Sequence, residues 1–213
     1  MRKSVQGLLA AIGLVAAPLA FAQGTLYVSN LGATPIGSKP VANNSQVAEI
    51  FRTGTNAAGY VFNSVQLRMN AGTGSLSGFS VALFSAGGSG PQDLISSLAG
   101  SDPASGGVFT YTAPNITLLP YAFYFIVATA ATPLAQGSYI WSAGPNVSLF
   151  GLEQWALDDS YYSSSDGATW AYHVREGSPQ MALYATPVPE PAACALAGLG
   201  MVALGFMRRT QRR

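Results

Sequence analysis

The sequence predicts an all-β protein: an antiparallel β-sandwich, jelly-roll-like, with an N-terminal signal peptide and a C-terminal single transmembrane helix. Three observations carry this. Several short segments alternate apolar with polar residues. Clusters of Gly, Pro, Asn, Asp and Ser separate them. No segment before Ala192 holds a long helical period. Many short strands joined by frequent turns suit two packed sheets.

Taken in order, residues 23–46 are polar and contain Pro35 and Pro40, so they read as an extended lead-in before the first good strand at Val47. In the next segment Val61, Val65, Leu67 and Met69 alternate with Phe62, Ser64, Gln66 and Arg68, which predicts a half-buried strand. Phe79, Val81 and Leu83 alternate with Ser80, Ala82 and Phe84 in the same way. Tyr121 to Thr129 is aromatic and β-branched throughout, as a central strand covered on both faces would be. Leu152 to Asp158 is long enough for one helical turn. Trp170, Tyr172 and Val174 alternate with Ala171, His173 and Arg175, and Gln180 to Ala185 closes the domain. Asn70 to Gly72, Ala86 to Pro91, Asp102 to Gly107, Gly144 to Asn146 and Ser163 to Gly167 read as turns. So do the glycine pairs Gly72-Thr73-Gly74 and Gly87 to Gly90, as hairpin loops. The expected core is Val65, Leu67, Val81, Leu83, Phe123, Phe125, Val127 and Leu183.

The two ends have a different composition. Arg2 and Lys3 precede an apolar run from Leu8 to Leu19, and Ala20-Phe21-Ala22 supplies small residues at the spacing a signal peptidase cuts. Residues 1–22 are therefore the signal peptide, and the mature chain begins at Gln23. At the other end Pro187-Val188-Pro189-Glu190-Pro191 leads into an apolar run, Ala192 to Met207, followed by Arg208, Arg209, Arg212 and Arg213. The prolines prevent a helix from starting before Pro191. The run is short for a spanning helix, and the arginines would hold its end at the cytoplasmic side. The division is 1–22 signal peptide, 23–46 lead-in, 47–186 sandwich and 187–213 tail.

That tail resembles the PEP-CTERM sorting signal of bacterial exported proteins. The resemblance implies that Val188, Pro189, Glu190 and Pro191 are the sorting motif and that an exosortase is the processing partner. Localisation would be the cell envelope or outer surface, with transient anchoring in the inner membrane. The body resembles the choice-of-anchor R domain. The similarity rests on Phe51-Arg52-Thr53-Gly54, Tyr60 to Leu67, Phe79 to Phe84, Leu118 to Val127, Tyr139-Ile140-Trp141 and Trp170. That family has no established activity, so it supplies no catalytic residue.

The body is mildly acidic: Lys39, Arg52, Arg68 and Arg175 face Glu49, Asp93, Asp102, Glu153, Asp158, Asp159, Asp166 and Glu176. Charge of this sign and sparsity argues against a nucleic-acid partner. The single cysteine, Cys194, lies in the tail, so no intrachain disulfide forms and the core must carry stability. His173 is the only histidine, on the polar face of its strand, and it reads as a surface residue. No nucleophile elbow or metal-binding cysteine pair accompanies it, so no catalytic residue is assigned and the chain reads as non-enzymatic. Asp158, Asp159 and Asp166 are the candidate calcium ligands, although their spacing fits no EF-hand and solvated acids on a turn are commoner. Otherwise no cofactor is implied. Trp141 and Trp170 read as core, while Trp155, Tyr161 and Tyr162 are the candidate glycan contacts, because sugar rings stack on exposed aromatic faces.

The leading expectation is a surface or matrix protein associated with extracellular polysaccharide. A carbohydrate-binding module with calcium assistance is the alternative, and a glycosidase or lyase the third.

Overall fold

The computed structural model describes residues 24–145 and 148–190. The expected signal peptide with Ala20 and Ala22, the last motif residue Pro191, the apolar run after it and the arginine cluster lie outside the described residues. Among the described residues, thirteen strands form two antiparallel sheets packed as a sandwich. They are β1 (Thr25–Ser29), β2 (Gly37–Val41), β3 (Gln46–Arg52), β4 (Tyr60–Gly74), β5 (Ser80–Gly87), β6 (Gly90–Leu98) and β7 (Gly107–Leu118). Then come β8 (Phe123–Thr129), β9 (Gly137–Ala143), β10 (Leu149–Phe150), β11 (Ala156–Ser164), β12 (Ala171–Val174) and β13 (Met181–Pro187).

The long β4 organises the six-stranded sheet. One side pairs with β7; the other pairs with β13 over Tyr60 to Leu67 and with β9 from Met69 onward. In turn β1 pairs with β13 and β2 with β9. The seven-stranded sheet runs β10-β11-β3-β8-β5-β6, with β12 also on β11. Between the sheets, Phe62, Leu67, Val65, Leu83, Ile126 and Leu183 form one continuous core with Trp141 and Trp155. Burial of this apolar surface is the main stabilising term of a domain without disulfides.

Several expectations need correction. Residues 23–46 are not a mere lead-in: they supply β1 and β2, and Tyr27, Val28 and Val41 are buried in the core. Periodicity missed them because short edge strands carry few apolar positions. In β4 the register with β7 shifts between Phe62 and Ser64, so the alternation changes phase there. Phe62 consequently points inward and Val61 does not. Asn70 to Gly74 is the bent end of β4 rather than a loop, with Thr73 opposite Ser138. The turn expected over Leu152 to Asp158 shrinks to a three-residue 3-10 turn, Leu152–Gln154, before β11 begins.

β8 lies between β3 and β5 and is covered on both faces, as expected. Tyr124, Ile126 and Ala128 face the main core. Phe125 and Val127 join Ala48 in a second, outer cluster against Ile50, Phe84, Tyr162 and Trp170. Phe123, expected in the core, opens the strand and is 51% exposed.

Candidate functional site

The C-terminal motif is the first site, and its beginning is part of the fold. β13 continues through Pro187, opposite Tyr60, rather than ending in a free linker at Thr186. One residue further, the Val188 amide donates to the Gly59 carbonyl at 3.0 Å, and Asn56 Nδ2 donates to the Val188 carbonyl at 3.0 Å. Gly59 adopts φ +80, and a Cβ there would fall on the Leu118 carbonyl oxygen, so the turn needs glycine. Val188 is thus strapped to the body, and Pro189 and Glu190 follow directly.

The expected glycan contacts divide. Trp155 is fully buried, packed against Tyr27, Phe51 and Tyr60 with centroids 4.9–5.9 Å away. It is a core residue, because it precedes β11 at the end of the sandwich where three strands converge. Tyr161 is also buried, stacked on His173 at 4.5 Å with Lys39 Nζ 3.9 Å above its ring. Burial, then the Glu176 carboxylate, pushes its hydroxyl up to about 12. Tyr162 points to the other face, edge-on to Phe125 at 5.0 Å and beside the exposed Tyr172 at 4.9 Å.

Trp170, read as core, is half-buried against the outer cluster, and it also walls an open trough of about 480 Å³ between the Gly87 to Gln92 hairpin and Ala168-Thr169. Gly90, at φ +133, allows the hairpin to approach, since a Cβ there would meet Trp170 at 2.8 Å. The trough joins residues about eighty positions apart, so no local pattern signals it. A hairpin of Gly, Ser, Pro and Gln beside an indole suits a sugar, which needs both polar partners and an apolar face.

His173 is half-buried rather than a free surface residue. Its Nε2 lies 2.8 Å from Ser163 Oγ, and Nδ1 lies 3.3 Å from Glu176 Oε2. The serine–histidine–carboxylate connection is that of a nucleophilic triad. Here the Glu176 carboxylate also accepts from the Tyr161 hydroxyl at 3.2 Å, and Lys39 Nζ donates to the Glu176 carbonyl at 2.7 Å. The group therefore also fastens β12 and its following turn onto β11 and β2.

The three aspartates occupy different settings. Asp158 accepts from the Asp159 amide on β11. Asp166 caps its own turn, accepting from Ser164 Oγ and the Ala168 and Thr169 amides at 2.8–2.9 Å. Those amides, Thr169 foremost, hold its carboxyl down at about 2. Among the described residues no three His, Cys, Asp or Glu side chains gather where a metal ion would sit.

Sequence patterns also passed over Glu49, a fully buried carboxyl on the core face of β3. Ser178 Oγ donates to it at 2.8 Å, its second oxygen has no partner, and burial pushes its pKa well up.

Residues 187–213 match the family of the PEP-CTERM protein-sorting motif. No curated protein and no solved structure matches the chain. The motif implies an exported protein, sorted to the cell surface and processed by an exosortase.

Proposed function

We propose that this is a non-enzymatic surface or matrix protein whose jelly-roll-type body, of the choice-of-anchor kind, is exported behind a signal peptide removed by signal peptidase. The tail inserts in the inner membrane, with Arg208, Arg209, Arg212 and Arg213 as the cytoplasmic stop, until an exosortase acts at the motif. The released or anchored body then associates with extracellular polysaccharide.

The observation that carries this reading is the position of the motif. It begins where β13 ends, so the body presents Glu190 two residues beyond a fixed point. A processing enzyme meets a short, proline-stiffened segment in a defined place. Cell fractionation of a Glu190→Ala variant tests it: an uncut, membrane-bound protein is expected.

A specific carbohydrate-binding role is the second reading, and the trough at Trp170 favours it. Trp170, which walls the trough, and Tyr162, beside Gly90, are the contacts this reading uses in place of the buried Trp155 and Tyr161. Co-sedimentation of the exported protein with isolated matrix polysaccharide should weaken severalfold in Trp170→Ala. The non-enzymatic reading has its own test. Covalent labelling of Ser163 by a serine-reactive fluorophosphonate, abolished in His173→Ala, would overturn it.

A further inference from the structure

We propose that the end of the sandwich from which the tail departs is a lipid-facing surface, pressed against the bilayer interface while the tail is inserted. This rests on the reading of the tail as a membrane tether, and it begins with reach. Val188 is bonded to the body at both its amide and its carbonyl. The apolar run begins at Ala192, four peptide steps later. At about 3.3–3.6 Å per step the intervening chain spans at most about 14 Å. Whatever surrounds Val188 is therefore held at headgroup depth or within one side-chain layer of it.

What surrounds it is apolar and exposed. The Leu119 backbone lies beside Gly59, to which Val188 is bonded. Leu119 is 64% exposed, Tyr121 54%, Phe150 75% and Leu152 50%, with Phe123 between them. Ile50 and Phe123 line two adjoining clefts, one reaching Leu119 and the other Phe150, so these four side chains form one patch, with Tyr121 and Leu152 on the neighbouring turns. Single exposed leucines are ordinary on soluble proteins, but a contiguous group marks an interaction surface. Leucine with Phe and Tyr is the composition that interfacial segments carry. The charges nearby are Arg52, Glu153, Asp158 and, on the tether itself, Glu190. Glu153 is engaged by the Tyr60 hydroxyl at 2.8 Å, and Arg52 donates to the Gln154 carbonyl.

The loops bearing the patch are held, not loose. The Leu119 amide donates to the Tyr124 hydroxyl, and its carbonyl accepts from Thr53 Oγ1 at 2.6 Å. The Tyr121 amide donates to the Gly54 carbonyl, and the Ala122 amide to Thr53 Oγ1. Tyr121 is fixed at φ 52, and Glu153 and Gln154 at φ 50 and 67, conformations that non-glycine residues seldom adopt. Tyr121 of the patch and the Glu153-Gln154 pair beside Leu152 are thus held in fixed, seldom-adopted backbone conformations.

The test uses the full chain reconstituted in phosphatidylethanolamine–phosphatidylglycerol vesicles containing bromolipid. An environment-sensitive fluorophore is placed at Leu119→Cys or Phe150→Cys in a Cys194→Ser background. The same label at Leu134→Cys marks the opposite end, and native Cys194 reports the tail. The labels at 119 and 150 should shift to the blue and be quenched severalfold more than the label at 134. If they behave like position 134 while Cys194 is quenched, the tether stands and the lipid-facing surface is wrong. An unquenched Cys194 would remove the tether and the inference together. A blue shift at 119 that bromolipid leaves untouched and dilution reverses would mean that a second copy covers the face, which also overturns it.

Discussion

The two ends of the sandwich finish differently. At the end where the chain leaves, Leu119, Tyr121, Phe123, Phe150 and Leu152 face outward from strand ends and hydrogen-bonded turns. At the other end, residues 42–45, 75–79 and 130–136 connect the strands, and Leu134 is the one large apolar side chain exposed among them. Its amide donates to Asn44 Oδ1, and Ser77 Oγ lies 2.9 Å from Thr132 Oγ1. Both ends close the same two sheets, so packing alone does not demand the difference. Ile36, Leu94, Ile95, Val108, Tyr172 and Val174 are exposed elsewhere, but the group of five gathered at one end belongs to the end that holds the tail.

The largest effect should come from the floor of the departing end. Trp155→Ala removes a ring packed among Tyr27, Phe51 and Tyr60, and should cost about 3–5 kcal/mol in chemical denaturation. A neutral result would mean the aromatic floor is not load-sharing core. Next is Gly59→Ala, which forces a side chain into a left-handed conformation and onto the Leu118 carbonyl. A loss of about 1–3 kcal/mol is expected, together with faster amide exchange at Val188. Exchange that stays slow would show the strap is independent of this turn.

The pH dependence of stability sharpens the contrast between core and surface. Glu49 has a folded-state pKa raised by burial, so its contribution is fully present below its ordinary 4.5 and is lost as pH rises through the raised value. Glu49→Gln should flatten that part of the stability curve. Asp166 works in the opposite sense: its contribution is present above 3.8 and is lost as pH falls through about 2. An unchanged curve for Glu49→Gln would place its carboxyl in water. The smallest effect belongs to the patch. Leu119→Ser and Leu134→Ser should each stay within about 0.5 kcal/mol of the parent. A large loss at Leu119 alone would make the patch structural.

Much of the sandwich is legible in alternation. Val65, Leu67, Val81, Leu83 and Leu183 are buried where the period of two places them. The failures have local causes. A bulge after Phe62 reverses the phase of β4, and Phe123 lies at a strand end where the cover stops. β1 and β2 borrow their order from β13 and β9, so their own residues reveal little. Trp141 is core as read, but the assignments of Trp155 and Tyr161 as exposed failed for a related reason. Trp155 is enclosed by Tyr27, Phe51 and Tyr60, all about a hundred positions away, and Trp170 is half-buried between the outer cluster and a distant hairpin. The sorting motif was readable because its chemistry is contiguous in sequence. Its strap to Gly59 and Asn56 was not.

The central claim is that Glu190 belongs to a recognised signal and is not simply a residue of a stiff linker. Glu190→Ala leaves Val188 strapped, the apolar run intact and the arginines in place. Fractionation with immunoblotting of cells expressing it beside the parent gives the most direct answer. The account expects a full-length protein accumulating in the membrane fraction while the parent is shortened. A variant shortened and distributed like the parent would contradict it.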